Sequence, residues 1–258
     1  MTCTPAEMMT VAAARALDSR DVCFVGIGLP SAACNLARLS HAPGITLIYE
    51  SGTLETKPDV LPLSIGDGEL CETALTTVSV PEIFRYWLQG GRISVGFLGG
   101  AQVDRFGNLN STVIGPYGNP IVRLPGSGGA SEIGLSCGKI FIVMQQNPRT
   151  FVESVDFVTT LGHGRTGRER RELGIATEGP VLMVTDLCTM RVDPETKEFL
   201  VATLHPGVTR EQLRQNTGWD IRFSEAARET RPPSITELEI LRDLHARTAR
   251  AHRIAAAN

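Results

Sequence analysis

The feature that most constrains the fold is a short apolar run that leads through glycines into a helix and then into a second apolar run. From residue 21, "DVCFV" predicts a buried strand, Gly26 and Gly28 predict a turn, and a helix is expected to begin near Pro30 or Ser31. The run "ITLIY" then supplies the next strand. Because strands joined through a helix pair in parallel, this stretch predicts a βαβ unit.

Further apolar runs repeat this pattern along the chain. A helix is predicted from Pro81 to a glycine stop at Gly90 and Gly91, followed by a strand at 93–98. The continuous apolar runs "KIFIVMQQ" and "VLMVT" are typical of strands covered by helices on both sides. The predicted fold class is therefore α/β, an open and mostly parallel sheet with helices on both faces, in a single domain over 1–258.

Local signals mark helix starts and one irregular stretch. The pattern of a capping box occurs at three places: Thr4 to Glu7, Thr209 to Gln212 and Ser234 to Glu237. The glycine-rich stretch 99–130 is long for a simple connection, and we expect irregular strands or hairpins within it.

Composition excludes several classes of function. The net charge is -3 and the basic residues are scattered, apart from "RTGRERR" at 165–171, so nucleic acid is not an expected partner. The N-terminal residues lack the pattern of a secretory signal, and no stretch reaches the roughly 18 apolar residues of a membrane span. We therefore expect a cytoplasmic protein without a membrane partner.

The cysteines and histidines lack the spacing of metal ligands. Six cysteines occur without any CxxC pair, which argues against a zinc site and against a redox pair. We expect buried thiols in a reducing compartment and no structural metal.

Two glycine loops are candidates for a binding site. In open parallel sheets, ligands bind at the carboxyl ends of the strands. The loop containing Gly26 and Gly28 permits close backbone approach, and the helix after it offers free N–H groups to an anion. In "LPGSGGASEIG", the amides near Gly128, Gly129 and Ala130 are candidates for stabilising an oxyanion, at about 3 kcal/mol per donor. Glycine-rich turns without such a role are also common.

A carboxylate stands at the end of the second predicted strand. Glu50 follows "ITLIY" directly and is itself followed by Ser51 and Gly52. This position displays a reactive group at the edge of the sheet where ligands bind. The pattern alone also fits a solvated carboxylate in a tight turn.

These motifs together resemble the β subunits of family I coenzyme A transferases. The similar residues are Glu50, Ser51 and Gly52, followed some 75 residues later by "GSGGASE" at 126–132. The resemblance extends over nearly the whole chain, through "FVGIGLPS", "LPLSIGDGEL" and "LHPGVTREQLRQNTGW". It is strongest to the B subunits of 3-oxoadipate CoA-transferases, which are similar to those of glutaconate CoA-transferases.

The resemblance implies a function, a mechanism and a partner. Glu50 would be the nucleophile that holds CoA as a glutamyl thioester while CoA moves from succinyl-CoA to 3-oxoadipate or a similar acid, in the degradation of aromatic compounds. Gly128, Gly129 and Ala130 would form the oxyanion and CoA loop, and Gly26, Gly28, Ser51 and Gly52 would line the cleft. Coenzyme A would be a substrate, with no permanently bound cofactor. A separate α subunit would complete a heterodimer or larger heteromer.

Alternatives of two classes remain. Within the fold, the chain resembles glutaconate-type subunits, and other relatives hydrolyse CoA thioesters, although those tend to lack the nucleophilic glutamate. A small-molecule sensor is a different class, and it would carry a DNA-binding segment that the sequence lacks.

Four other features have an ordinary structural explanation and a functional one. The run 165–171 fits a solvated loop or a contact with CoA phosphates. His163 and His205 fit structural hydrogen bonds better than a general base. Glu55 replaces the small residue or glycine that similar sequences have, and it either shapes the pocket or faces solvent.

Overall fold

The structure is a computed structural model that describes residues 2–257. Its internal contacts divide the chain into two compact units. The first unit contains the described residues up to Phe97 together with those from Pro233 onward, and the second contains Leu98–Pro232. The single domain expected over 1–258 stays a prediction.

Helices and strands alternate along most of the chain. The helices are α1 (Pro5–Ala14), α2 (Leu29–Leu39), α3 (Gly68–Glu72), α4 (Val80–Glu82), α5 (Ala130–Ser136), α6 (Glu169–Glu172), α7 (Arg210–Gln215) and α8 (Ile235–Ala257). The strands are β1 (Val22–Phe24), β2 (Thr46–Ile48), β3 (Thr53–Leu54), β4 (Thr76–Thr77), β5 (Val95–Leu98), β6 (Gln102–Val103), β7 (Leu109–Asn110), β8 (Val113–Ile114), β9 (Val122–Arg123), β10 (Lys139–Val143), β11 (Gly179–Val184), β12 (Cys188–Val192), β13 (Phe199–Leu204) and β14 (Phe223–Glu229).

The sheet of the first unit is parallel at its centre. Its strand order is β4-β3-β2-β1-β5. β1 pairs in parallel with β2 and with β5, so that Cys23 lies opposite both Leu47 and Val95, whereas β3 and β4 add on as antiparallel strands. These three residues are completely buried, as expected for a strand covered on both faces. The predicted βαβ unit is confirmed as β1, α2 and β2.

The second unit has its own run of strands in the order β10-β11-β12-β13-β14. β10 and β11 are parallel, β12 is antiparallel to both of its neighbours, and β13 and β14 are parallel again. The stretch 99–130 contains two small antiparallel pairs, β6 with β7 and β8 with β9, which confirms the hairpins expected there. The α/β class with mostly parallel strands is confirmed.

The helix predicted from Pro81 is present but changes type. The Ser79 side chain accepts a hydrogen bond from the Glu82 N–H and so caps α4. From Ile83 to Leu88 the helix has π geometry, and the Gln89 N–H bonds the Phe84 carbonyl five residues earlier. The α-helical period assumed from the sequence is therefore wrong over this turn, which is wider than an α-helix.

The terminal helix α8 packs against α1 and α2 in the first unit. The Arg15 guanidinium donates to both carboxylate oxygens of Glu237 at 2.7 Å. In return, Arg242 of α8 donates to both oxygens of Glu7 on α1, at 2.6 and 3.0 Å. Two bidentate ion pairs therefore fix α8 to α1, which gives them more geometric specificity than single contacts have.

The capping predictions are largely confirmed. Both reciprocal hydrogen bonds form between Thr4 and Glu7 and between Ser234 and Glu237. At α7, the side chain of Thr209 accepts from the N–H of the third helical residue. Within residues 2–257, no helix combines the length and the apolar character needed to cross a membrane.

Candidate active site

Glu50 lies in the tight turn that connects β2 to β3. The Gly52 N–H donates to the Tyr49 carbonyl at 3.0 Å, and the Tyr49 N–H donates to the Thr53 carbonyl at 3.1 Å. Glu50 and Ser51 are therefore the two central residues of the turn. Glu50 is half-buried, and its carboxylate makes no hydrogen bond or ion pair with any other described residue. The turn thus presents a carboxylate that has no internal partner.

Gly52 is required by the packing of this turn. Its φ is +107°, in the region that side chains avoid, and a Cβ added there would lie 2.1 Å from the Val78 carbonyl oxygen. The Val78 N–H also donates to the Gly52 carbonyl at 2.9 Å. The backbone of the neighbouring strand therefore holds the Glu50 turn from one side, and only glycine permits this approach.

The loop after β1 lies beside the Glu50 turn, because β1 and β2 are parallel neighbours and both loops follow their carboxyl ends. Gly28 has a φ of +81° and precedes α2, which has no side-chain cap. A Cβ at Gly28 would meet no atom within 4 Å, so its glycine is needed for conformation and leaves open space. A Cβ at Gly26 would make only ordinary contacts with Pro30.

A buried hydrogen bond ties α2 to the strand that ends before Glu50. The Ser31 Oγ and the Tyr49 hydroxyl are 2.7 Å apart, and both residues are fully buried. Asn35 Nδ2 donates to the Ser31 carbonyl at 2.9 Å, and Arg38 donates to Asn35 Oδ1. Burial raises the pKa of the Tyr49 phenol above its usual value, so the group stays protonated and can donate. Sequence analysis missed this network, and the tyrosine that ends an apolar run was its only visible signal.

The second unit contains the other glycine loop. Gly126 and Gly128 have positive φ values of +101° and +47°, with nothing within 4 Å of an added Cβ. Gly129 is the N-cap of α5 and provides no side chain. The Ala130 N–H donates to the Ser127 carbonyl at 2.8 Å, whereas the N–H groups of Gly128 and Gly129 have no acceptor among the described residues. The amides that can donate to a ligand here are therefore those of Gly128 and Gly129.

The basic run 165–171 contains both exposed and buried residues. Arg165, Arg168 and Arg171 are exposed, but Arg170 is only 4% exposed. Its guanidinium donates to the carbonyls of Gly134 at 2.8 Å, Thr177 at 3.1 Å, and Leu161 and Gly162 at 3.3 Å. Burial lowers the pKa of Arg170 to about 10. Arg170 therefore fixes the end of α5, and a contact of its exposed neighbours with CoA phosphates stays a prediction.

Both histidines make structural hydrogen bonds. The ring N–H of His163 donates to the Pro180 carbonyl at 2.8 Å. His205 lies 2.9 Å from the Thr185 carbonyl through Nε2 and 2.9 Å from the Thr230 hydroxyl through Nδ1. Burial lowers the pKa of each imidazole, which keeps both rings neutral at pH 7.

Glu55 occupies a backbone conformation that suits glycine. Its φ is +50°, one of two positive values among the described non-glycine residues. The side chain is partly exposed and forms an ion pair with Lys57 at 3.1 Å. The glycine that similar sequences have here is explained by this conformation. Glu55 contacts a neighbouring lysine at the surface.

The described residues contain no group of three or more histidine, cysteine, aspartate or glutamate side chains arranged to hold a metal ion. The expectations of no metal and of no permanently bound cofactor stay predictions.

The comparisons with known proteins identify the family. The family model described as "Coenzyme A transferase" matches residues 6–216, and the chain belongs to this family. It is 62% identical to the B subunit of the 3-oxoadipate CoA-transferase of Pseudomonas knackmussii, over 95% of each chain. It is 36% identical to the B subunit of the glutaconate CoA-transferase of Acidaminococcus fermentans, over 93% of this chain and 91% of the relative. The crystal structure of glutaconate coenzyme A-transferase from the same organism matches with a TM-score of 0.87 and 32% identity, over 93% of this chain and 94% of that one.

These findings confirm the resemblance to the B subunits of CoA-transferases and the enzyme class of CoA-transferase. The structural match also confirms the CoA-transferase-like fold. The chain corresponds over nearly its whole length to subunits that are named as one of a pair. The catalytic and cleft residues are not tested by these similarities and stay predictions.

Proposed function

We propose that this chain is the catalytic subunit of a CoA-transferase that moves CoA from succinyl-CoA to 3-oxoadipate or a similar acid, in the cytoplasmic degradation of aromatic compounds. The acceptor is inferred from the relative that is 62% identical over 95% of both chains. A cytoplasmic location agrees with six free cysteines in the described residues, since disulfides are rare in that compartment. A separate α subunit completes the enzyme, because both curated relatives are the B members of such pairs.

The observation that carries the proposal is the state of the Glu50 carboxylate. A carboxylate that binds an arginine or several amides is a weak nucleophile, because these partners stabilise the charge that must attack. Glu50 has no such partner among the described residues, although its turn is held by backbone bonds on both sides. The turn therefore fixes the position of the group without lowering its reactivity.

The chemistry proceeds through two exchanges at Glu50. Its carboxylate oxygen attacks the thioester carbonyl of succinyl-CoA, and the C–S bond breaks to release CoA thiolate and leave a mixed anhydride. The thiolate then attacks the Glu50 carbonyl, succinate leaves as a carboxylate, and a glutamyl-CoA thioester remains. The acceptor acid reverses both steps and leaves as the new acyl-CoA. The bond energy of the donor thioester is conserved because water attacks neither intermediate.

Each attack forms a tetrahedral oxyanion that requires hydrogen-bond donors. In the second unit, the N–H groups of Gly128 and Gly129 are available and are followed by a helix without a side-chain cap. We assign them to the acyl oxygen of the CoA substrate, a contribution of about 3 kcal/mol for each effective donor.

The test is to trap the thioester. The chain is produced together with its α subunit and incubated with succinyl-CoA, and the digested peptide that contains residue 50 should gain the mass of CoA. Glu50→Gln should abolish this gain and the transfer to 3-oxoadipate. Glu55→Gln is the matched control, since it removes a partly exposed carboxylate from the same segment and should keep the mass gain.

Two results would contradict the proposal. One is transfer at the parental rate by the Glu50→Gln complex. The other is release of succinate from succinyl-CoA at the same rate with and without an acceptor acid, which would show hydrolysis. The isolated chain should fold without catalysing transfer, and activity of the pure chain alone would contradict the need for an α subunit.

A further inference from the structure

Two hydroxyl groups next to Glu50 are buried without a hydrogen-bond partner. Among residues 2–257, only three buried side-chain polar atoms lack a partner: the hydroxyls of Ser51, Thr53 and Thr160. Two of these three belong to the Glu50 turn or to the first residue of β3. Thr53 is 1% exposed. Buried polar groups are nearly always paired, so this concentration beside one carboxylate calls for a functional explanation.

The neighbouring threonine shows how a hydroxyl in this region is normally satisfied. Thr56 is also 1% exposed, and its Oγ1 donates to the Leu70 carbonyl at 3.0 Å and bonds the Thr73 hydroxyl at 2.8 Å. Burial by itself therefore does not prevent pairing here. The hydroxyls of Ser51 and Thr53 lower the stability of the free chain, because each has lost water without gaining a protein acceptor.

The acceptor for these two donors must come from the chain itself. Both oxygens are closed off from solvent, so a substrate in an open cleft does not reach them. Glu50 is in the same turn, which the bonds Gly52 N–H to Tyr49 O and Tyr49 N–H to Thr53 O close. Its carboxylate likewise has no partner among the described residues. A glutamate side chain has three rotatable bonds, so its acyl group can change place while the backbone of the turn stays fixed.

We propose that the hydroxyls of Ser51 and Thr53 donate hydrogen bonds to the acyl oxygen of residue 50 during the transfer reaction. This inference rests on the proposed role of Glu50 as the nucleophile. When CoA thiolate attacks the Glu50 carbonyl, the electron pair of the C=O bond moves onto its oxygen and the C–S bond forms. The two hydroxyls stabilise this oxyanion without transferring a proton. The pair returns to reform the carbonyl when the C–O bond to succinate breaks.

A partner that appears only during the reaction predicts opposite effects on stability and on rate. Thr53→Val replaces the hydroxyl with a methyl group of similar size, so it removes an unpaired buried donor. Its melting temperature should equal or exceed that of the parent. The rate of glutamyl-CoA formation and kcat should fall by about 10- to 100-fold, the range for a hydrogen bond to a charged group. KM for succinyl-CoA should change little, because the hydroxyl does not touch free substrate.

Three further variants separate this role from a structural one. Ser51→Ala should also slow thioester formation without lowering the melting temperature. Thr53→Ser keeps the hydroxyl, and it should retain most of the rate that Thr53→Val loses. Thr56→Val is the matched control: it should lower the melting temperature by at least about 2 °C, because it breaks hydrogen bonds that exist in the free chain, and keep the parental kcat well below that temperature.

All measurements use the complex with the α subunit, and two results would overturn the inference. The first is a parental rate of thioester formation in both Thr53→Val and Ser51→Ala. The second is a fall in the melting temperature of Thr53→Val as large as that of Thr56→Val, because it would show that the hydroxyl is paired in the free protein. If the parent forms the thioester on residue 50 under either of these results, the role of Glu50 stands and that of the hydroxyls fails. If the parent forms no thioester on residue 50, the proposed function fails with it.

Discussion

Replacing Gly52 by alanine tests how the turn that carries Glu50 is held. The added Cβ would lie 2.1 Å from the Val78 carbonyl oxygen, far inside an ordinary contact of roughly 3.4 Å. Gly28 is the control, because its φ of +81° is also unfavourable for alanine but its Cβ would meet nothing within 4 Å. The two substitutions therefore share the conformational penalty, and only Gly52→Ala has the steric one.

The magnitudes follow from these two contributions. A side chain at positive φ costs about 1–3 kcal/mol, which applies to both variants. At Gly52 the overlap must also push Val78 away and break the 2.9 Å bond from the Val78 N–H to the Gly52 carbonyl. Losing a hydrogen bond between groups at this site costs about 1–3 kcal/mol more. We therefore expect Gly52→Ala to melt about 2–10 °C below Gly28→Ala.

Thermal unfolding of the complex, followed by circular dichroism, measures this difference. The same preparations give the rate of glutamyl-CoA formation, which should fall further for Gly52→Ala because a displaced β4 no longer supports the turn. If Gly52→Ala melts at or above the temperature of Gly28→Ala, the close approach of Val78 does not determine the conformation of this turn.

Three further predictions concern stability. Glu55→Gly should raise the unfolding free energy by up to about 1 kcal/mol, because glycine accepts a φ of +50° without strain; a lower urea midpoint than the parent would contradict this. Stability should fall as the pH decreases below about 6.5, because the unfolded chain protonates His163 and His205 while burial keeps their folded pKa values lower; His205→Gln should flatten this slope in melts between pH 7 and 5, and an unchanged slope would argue against it. The hydrogen bonds from Arg242 lower the pKa of Glu7 to about 2, so the stability difference between the parent and Glu7→Gln should be complete above about pH 4.5 and shrink as the pH falls toward 2; a difference that is constant across this range in chemical unfolding would refute the assignment.

Much of the first unit could be predicted from the sequence, because its signals are local. The apolar runs and the glycines between them place β1, α2 and β2 within about a residue of their observed positions. The same pattern places Glu50 at a strand end. The antiparallel hairpin that turns this strand end into a closed loop depends on two short strands, and two residues are too few to produce a periodic signal.

The features that escaped prediction depend on contacts between distant residues. The bond between Ser31 and Tyr49 joins a helix to a strand, and each residue alone is unremarkable in the sequence. The burial of Arg170 was also hidden, because a run of charged residues is normally solvated and its carbonyl acceptors lie far away along the chain. The unpaired hydroxyls of Ser51 and Thr53 are visible only when every possible acceptor has a known position.

The return of α8 to the first unit affects how the protein is made. On the ribosome, α1 emerges early, but its ion-pair partners on α8 follow only after the whole second unit has been synthesised. At translation rates of about 5–20 residues per second, the face of α1 that α8 covers waits on the order of ten seconds. The unit that is begun first is thus completed last, and the nascent chain must be protected from aggregation during that interval.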